Sequence, residues 1–519
     1  MKQNNIEDIY ELSPMQQGML FHKLAAPSSV VYFEQACLTL QTQLDVLAFQ
    51  KAWQRVVDRH PSLRTSFYWE DLDKPYQIVY RQVDLPWEFQ DWRKLSLQEQ
   101  QKQLKVFLKA DGDRGFELSQ APLIRITLIQ VADDTYEFVF SFHHILMETW
   151  SINWLWKEFY EFYQAFCQGK DLYLERPRPY REYIAWLQQQ DLHKAEAYWR
   201  QKLKGFTVPT PIEVGNISTS NFYQEEEYDR QQIQVSASLT TALKSFARKH
   251  QLTLNIVLKG AWALLLSHYS KESDVVFGAT SSGRPAQLQE AESMVGLFIN
   301  TLPLRVQVDS DAFLAPWLKK LQAEEVEMRK YEYSPLVKIQ QWSEISRGLQ
   351  LFDSILDFEN ELVDYNQGVL AQSIGIAKSQ LFDESQSLFD WTNYPLSVNV
   401  APKSDLLNLS ISYDTRCFDN ATIGRMLGHL ETLLEGFVTN PKTKLRELPM
   451  LTSKESYQIL RKWNDTKVEY PQQQCIHELF EAQVEKTPDA IAVVFENQQL
   501  SYRELSQRAN QLAHYLQKL

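Results

Sequence analysis

The chain has 519 residues, too many for one hydrophobic core, so two or three domains are expected. Apolar residues make up 44% and charged residues 23%, an ordinary globular composition, and no apolar run approaches the ~20 residues needed to span a membrane. The net charge of −13 argues against a nucleic-acid or anionic-membrane partner, because both need a basic face to release counterions. Cys37, Cys167, Cys417 and Cys475 are scattered with no CxxC pair, and the polar, acidic stretch Met1 to Tyr10 does not read as a signal peptide. Both point to a reducing, cytoplasmic setting.

In chain order, Ser13-Pro14-Met15-Gln16 supplies an N-cap hydroxyl, a Pro at the first helical position and a capping-box Gln. The helix it opens places Met15, Met19, Leu20 and Phe21 close to one face. An alternating strand follows at Tyr32 to Leu40, then an amphipathic helix from Leu44 to His60 with Leu44, Leu47, Ala48, Ala52 and Val56 inward. Leu63 to Glu70 returns as a strand. Strands at Leu123 to Val131 and Tyr136 to His144 flank Asp133-Asp134, a hairpin-type turn, and Trp150 to Phe166 is a strongly aromatic helix read as mostly core. The Pro-rich stretch Arg176-Pro177-Arg178-Pro179 breaks the pattern and divides the chain.

The second part repeats the alternation, with helices at Leu239 to His250 and Leu254 to Ser270 and strands at Val275 to Ala279 and Leu302 to Val308. Strands at Leu396 to Val400 and Leu409 to Tyr413 precede a helix from Ala421 to Phe437. Two mixed α/β halves of similar content follow from this. After Leu451 come a capped helix at Thr452-Ser453-Lys454-Glu455, a linker around Tyr470-Pro471 and a new amphipathic segment too short to be a domain.

The chemistry concentrates in Tyr136-Glu137-Phe138-Val139-Phe140-Ser141-Phe142-His143-His144. Alternation puts Tyr136, Phe138, Phe140, Phe142 and His144 on one face, and Glu137, Val139, Ser141 and His143 on the other. One imidazole is then a buried prop while the other meets a substrate, where its neutral form accepts or relays a proton. Glu148 lies four residues beyond His144. A pair of satisfied histidines at a strand end, or half of a metal site lacking its third ligand, fits the local sequence as well.

A wider set of motifs resembles one family. His143-His144-Ile145-Leu146-Met147-Glu148-Thr149-Trp150-Ser151 is similar to the HHxxxDGWS motif of condensation domains of non-ribosomal peptide synthetases. Leu12 to His22 resembles that family's opening motif, and Arg59-His60-Pro61-Ser62-Leu63-Arg64-Thr65-Ser66-Phe67 its RHxxLRTxF. Tyr180 to Trp186 resembles YxDYAxW, Ser282-Gly283-Arg284-Pro285 the SGRP loop, and Val295 to Arg305 the VGxFxNTxPxR segment. Tyr333-Ser334-Pro335-Leu336 and Phe352-Asp353-Ser354 stand where the last two motifs belong. The ordered set covers roughly residues 10 to 450. Ile476 to Gln483, Thr487 to Ala492 and Leu500 to Leu505 resemble the opening of an adenylation domain. The glycine-rich nucleotide loop of such a domain is not in the sequence, which implies that the natural protein continues past Leu519.

The resemblance implies an α/β fold of two chloramphenicol-acetyltransferase-like lobes in a V-shaped pseudo-dimer. The lobes are expected at residues 1–176 and 177–450, with a linker and truncated adenylation start at 451–519. Peptidyl carrier domains for donor and acceptor would present thioesters on phosphopantetheine arms, with no metal and no cofactor held by the domain itself. The adenylation domain would follow in the same chain. His144 takes the place of the catalytic histidine and His143 of the structural one. Glu148 replaces the family's Asp, for which the resemblance implies an ion pair with the arginine of the second motif, Arg64. Thr149 replaces its Gly, where a β-branched residue would resist φ > 0 and stand near the donor path. Trp150, Arg284 and Asn300 are candidates for the channel or its loops. The departures at Glu148 and Thr149 keep open a silenced module that only docks carrier or partner domains. Cyclisation domains have aspartates in place of both histidines, and epimerisation domains differ around Asn300-Thr301. A free acyl-CoA transferase would need no adenylation start.

Overall fold

The computed structural model describes residues 5–27, 29–212, 228–346, 348–359, 375–377, 392–403, 405–469 and 473–519. These form two compact units, Met1–Thr452 and Ser453–Leu519.

The first part of the larger unit opens with β1 (Ile6–Glu11), α1 (Pro14–Ala25), β2 (Phe33–Gln41) and α2 (Val46–Arg59). Ser13 caps α1, with Gln16 completing the capping box. A 3-10 turn at Pro61–Arg64 leads into β3 (Thr65–Tyr68), β4 (Tyr76–Tyr80) and β5 (Trp87–Asp91). Then come α3 (Leu97–Arg114), β6 (Ile124–Ala132), β7 (Thr135–His143) and α4 (Thr149–Cys167). The β6–β7 hairpin turns at Asp133-Asp134, as the sequence predicts. One expectation for an inward side chain fails, since Leu47 on α2 is exposed; on α1, Met19 and Leu20 are buried while Phe21 is exposed. The buried stripe of α2 runs instead through Ala48, Phe49, Ala52, Trp53, Val56 and Val57.

The second part holds α5 (Arg181–Gln188), α6 (Leu192–Lys202), β8 (Tyr228–Val235), α7 (Ala237–His250) and α8 (Leu254–Ser270). It continues with β9 (Asp274–Ser281), β10 (Asn300–Gln307), α9 (Leu314–Arg329), α10 (Leu336–Trp342) and β11 (Ser354–Phe358). The strands β12 (Ile376–Ala377), β13 (Leu396–Lys403) and β14 (Leu406–Asp414) precede a long helix, Asn420–Thr439.

β1, β4 and β3 form a small antiparallel sheet. The first main sheet has the order β12-β2-β7-β6-β5, so a strand from the second part completes the sheet of the first. The second main sheet, β10-β9-β11-β13-β14-β8, shares one core with α7, α8, α9 and helix Asn420–Thr439. Both are mixed sheets: β5 lies parallel to β6, and β11 lies parallel to β9 and β13.

The aromatic face of β7 explains the position of α2 and α4. Phe138 and Phe140 enter one core with Trp53 and Phe49 of α2 and with Trp156 and Phe159 of α4. The Trp53 and Phe159 rings stack at 4.6 Å. Each large side chain buried this way contributes about 1.5–3 kcal/mol of transfer free energy, so the strand is fixed in register. On the opposite face, Val139 and Cys37 pack against Leu104 and Leu108 of α3.

The smaller unit has a short helix, Ser453–Tyr457, running into a π turn. Helix Ile476–Lys486, a hairpin of Ile491–Phe495 with Gln498–Ser501, and helix Tyr502–Leu516 follow. The linker expected around Tyr470-Pro471 lies outside the described residues. Among the described residues, no helix is long and apolar enough to cross a membrane.

Candidate active site

The end of β7 separates its two histidines as strand alternation requires. Glu137 meets the Thr39 hydroxyl at 2.9 Å and Ser141 donates to Asp111 at 2.6 Å, both on the α3 side of the sheet. His143, on that side, is buried, and its Nδ1 accepts a hydrogen bond from the Ile145 amide at 3.1 Å. Burial, followed by the charges of His144 and Lys23, pulls the His143 pKa down from 6.5 to about 3. The ring is therefore neutral in the folded protein.

That shift makes a prediction with a definite sign. The folded-state pKa lies below the unfolded one, so the unfolded chain takes up the extra proton first. Stability is fully present above about pH 6.5 and falls toward pH 3, by about 1.4 kcal/mol per pH unit from this group. His143→Gln keeps a hydrogen-bond acceptor and cannot titrate, so it should flatten this part of the acid limb. Denaturant unfolding of both proteins between about pH 4 and 6.5 checks it. Parallel slopes would contradict a neutral buried His143.

His144 begins the 3-10 turn His144–Leu146 and stands on the wall of a cavity of about 1460 Å³. Its Nδ1 lies 2.7 Å from the Met147 carbonyl oxygen. A carbonyl only accepts, so Nδ1 carries the hydrogen and Nε2 is the proton-accepting atom of the neutral ring. The turn thus sets both the orientation and the tautomer of this histidine.

Glu148 follows as the residue capping α4, with its carboxylate buried between the two parts of the larger unit. One oxygen accepts from the Phe298 amide at 2.6 Å, and the other pairs with Arg284. Arg284 also donates to the Met294 carbonyl at 2.9 Å, the Ser151 hydroxyl at 3.0 Å and the Ala291 carbonyl. Ser151 in turn donates to the Gly296 carbonyl at 3.0 Å. Glycines allow these segments to close up. Gly283 has φ +60°, and a Cβ there would stand 1.8 Å from the Phe298 carbonyl oxygen. At Gly296 a Cβ would stand 2.1 Å from the Tyr180 ring.

This corrects the expected partner of Glu148. Arg64 ends the Pro61–Arg64 turn and reaches β1 and β4, bonding Glu7 at 2.7 Å and the Tyr80 carbonyl. Its role is to fasten the small sheet, and the cation facing Glu148 is Arg284. Asn300 holds a loop of the cavity: its amide donates to the Glu332 and Ser334 carbonyls at 2.7 and 2.8 Å, in the stretch whose Glu332 and Tyr333 line the wall. Trp150 does line the cavity, with its indole N–H bonded to the Glu292 carbonyl at 2.8 Å.

Thr149 is the first residue of α4, exposed on the cavity wall, and it is not among the residues with positive φ. The backbone strain expected for a β-branched residue is absent. Thr149→Gly should therefore lower stability by up to ~1 kcal/mol through added unfolded-state entropy, measured as a shift in the denaturant midpoint. A stabilised glycine variant would restore the strain argument.

The sequence reading missed two parts of the cavity wall. Glu34, Ala36 and Leu38 of β2 lie beside Phe140 and Phe142, and Lys259, Glu325 and Asp357 lie on the side of the second sheet. The alternation of Glu34, Ala36 and Leu38 with Gln35, Cys37 and Thr39 separates the two faces of β2 without marking which one lines a cavity.

Over residues 6–460 the sequence matches the family model "Condensation domain". The chain belongs to the condensation-domain family. Residues 480–519 match the start of "AMP-binding enzyme", so an adenylation-type domain begins after the condensation domain. The chain is 44% identical over 512 residues to a component of the linear gramicidin synthase of Brevibacillus parabrevis, covering 99% of this chain and 6% of that protein. With bacitracin synthase 3 of Bacillus licheniformis it shares 37% over 513 residues, 98% of this chain and 8% of that one. The condensation domain and its short extension thus span only a small part of the relatives they match.

The fold is shared with solved synthetases. A four-domain nonribosomal peptide synthetase bound to AMP and glycine superposes with a TM-score of 0.73 at 19% identity, over 99% of this chain and 39% of that one. The first condensation domain of the calcium-dependent antibiotic synthetase, in complex with a substrate analogue, gives 0.69 at 13%, over 86% and 100%. The condensation domain here has the mixed α/β, chloramphenicol-acetyltransferase-like fold of these proteins. Condensation domains of non-ribosomal peptide synthetases are acyltransferase-type enzymes that form peptide bonds.

Proposed function

We propose that this domain joins an aminoacyl or peptidyl thioester to the α-amine of an aminoacyl thioester, both delivered on the phosphopantetheine arms of carrier domains. The observation that carries the reading is His144, which stands on the wall of a large cavity with Nδ1–H committed to its own turn and Nε2 left basic.

The amine nitrogen attacks the thioester carbonyl carbon, and the carbonyl oxygen takes up negative charge. The proton released from nitrogen passes to His144 Nε2. Collapse of the tetrahedral intermediate breaks the C–S bond, and the departing thiolate takes the proton from His144. The donor arm leaves as a free thiol and the acceptor arm carries the new amide. A free α-amine has a pKa of about 8, so part of it is already nucleophilic at neutral pH. Alignment of two tethered substrates in one cavity supplies much of the remaining rate enhancement.

The cavity residues divide the work. Glu148, Ser151 and Arg284 fix the segment after His144 to the loops around Gly283 and Gly296, which supports its orientation. Glu148 keeps its charge and its cation, so the departure from the usual Asp is accommodated by a longer arm. The reading is tested by mixing the chain with donor and acceptor carrier proteins, both loaded, and following transfer in a single turnover. An amide-linked product on the acceptor arm is expected. No product, with both carriers shown to be bound, would overturn the reading in favour of a docking module.

A further inference from the structure

The turn that carries His144 is gripped from outside as well as by its own hydrogen bonds. Within it, the Met147 N–H donates to the His144 carbonyl at 3.2 Å, and the Met147 carbonyl accepts from His144 Nδ1 at 2.7 Å. Both peptide planes at Ile145 are tied to side chains. The Ile145 N–H, in the peptide shared with His144, donates to His143 Nδ1 at 3.1 Å. The Ile145 carbonyl, in the peptide shared with Leu146, accepts from Gln16 Nε2 of α1 at 3.0 Å. Ile145 is fully buried and Gln16 is 2% exposed, so neither group has water to fall back on.

Gln16 serves the turn because its oxygen is fixed as well. Its Oε1 accepts from the Ser13 N–H at 2.9 Å and from Gln77 Nε2 of β4 at 3.1 Å. Gln77 also donates to the Glu11 carbonyl of β1 at 3.0 Å and is itself buried. An amide whose oxygen holds two donors presents its NH2 group to Ile145, so the side chain has one orientation. The bonds thus run from the small sheet, through the cap of α1, to the turn. Among the described residues, those lining the cavity do not include Gln16. What it does for the reaction passes through the turn.

We propose that Gln16 is a positioning residue for His144. This deepens the function proposed above and rests on it. By holding the Ile145–Leu146 peptide, Gln16 keeps the Met147 carbonyl where it accepts the hydrogen of His144 Nδ1. Without Gln16 a buried carbonyl loses its donor, the peptide rotates, and the Met147 carbonyl moves off the ring. His144 then samples the tautomer with its hydrogen on Nε2, which cannot take the amine proton.

Three variants of the full chain separate this role from helix capping. Gln16→Met has no donor and should slow single-turnover amide formation at saturating carriers by about 10- to 100-fold, the scale of a ~1 Å misplacement. Half-saturation for either carrier should not move. Gln16→Glu keeps an acceptor for Ser13 and Gln77 and regains a donor only when its carboxyl is protonated. Its rate relative to wild type should therefore fall as pH rises from about 6 to about 9, the range in which a buried carboxyl ionises. Ser13→Ala weakens the cap and leaves the Ile145 bond, so it should lower the melting temperature without changing the rate. In a His144→Ala background, Gln16→Met should slow the residual reaction no further, because its effect passes through the imidazole. Nitrogen-15 NMR of labelled histidine supplies a readout apart from turnover. The His144 Nε2 resonance, identified by its loss in His144→Ala, should be that of an unprotonated nitrogen in the neutral wild type and shift toward the protonated position in Gln16→Met. A wild-type rate in folded Gln16→Met, a further loss on top of His144→Ala, or unchanged His144 nitrogen shifts overturns the proposal. If Gln16→Met does not fold, the pH dependence of Gln16→Glu decides, and a flat ratio to wild type overturns it. Shifted nitrogens in Gln16→Met beside a wild type that forms no amide would sink the proposed function and spare the role of Gln16.

Discussion

Arg284→Ala is expected to lose about 3–5 kcal/mol of stability, because it strands a buried carboxylate. Both side chains of the Glu148–Arg284 pair are 6% exposed. Without the guanidinium, Glu148 keeps the Phe298 amide and a weak contact with Ser151 at 3.5 Å. The Ala291 and Met294 carbonyls lose their donor at the same time. Arg284→Lys should rescue little, since one ammonium cannot reproduce a planar fork that meets four oxygens. Denaturant unfolding of the single and double variants gives the coupling. Glu148 and Arg284 should be strongly non-additive, whereas Glu148 and Arg64 should be additive, because Arg64 faces Glu7. An Arg284→Ala protein as stable as wild type would remove Arg284 from this role.

The elements most legible in the sequence were those whose residues carry their own instructions. The α1 start was visible because Ser13, Pro14 and Gln16 each satisfy a requirement of a helix N-terminus. The hairpin of β6 and β7 and the helices at Ala237–His250 and Leu254–Ser270 were visible from apolar periodicity. The α3 helix went unread, although Ser96 and Glu99 form a capping box at its start. Its buried stripe is only Gln100, Leu104 and Leu108, on a glutamine- and lysine-rich background that carries little apolar signal. Strand β12 is two residues long and gains its identity only from pairing with β2, a contact across more than 300 positions of chain.

The site divides in the same way. The opposite faces of His143 and His144 follow from strand alternation alone. The partner of Glu148 does not, because Arg284 is 136 residues away and the resemblance pointed to Arg64 of the second motif instead. Asn300 was read from its motif as belonging to the channel or its loops, and its amide holds the loop carrying Glu332 and Ser334. Glu34 was already inside a strand read as alternating. Which side of that strand faced a cavity rather than a core depends on the second sheet, and no local pattern encodes that.

The largest effect on activity should come from His144→Ala. The imidazole lies partly exposed on the cavity wall and its Nδ1 bonds only back to its own turn, so its removal opens no core. The melting temperature should stay near wild type. What is lost is the acceptor for the amine proton and the donor to the departing thiolate, a contribution of about 10²–10⁴-fold for a positioned acid–base group. Residual turnover would reflect alignment of the two arms, which the variant retains. The most direct measurement is the single-turnover rate of amide formation by wild type and His144→Ala, at saturating concentrations of both loaded carriers. The expected result is rapid transfer by wild type and a variant at least about 100-fold slower with an unchanged melting transition. Equal rates in two folded proteins would contradict His144 as the centre of the reaction.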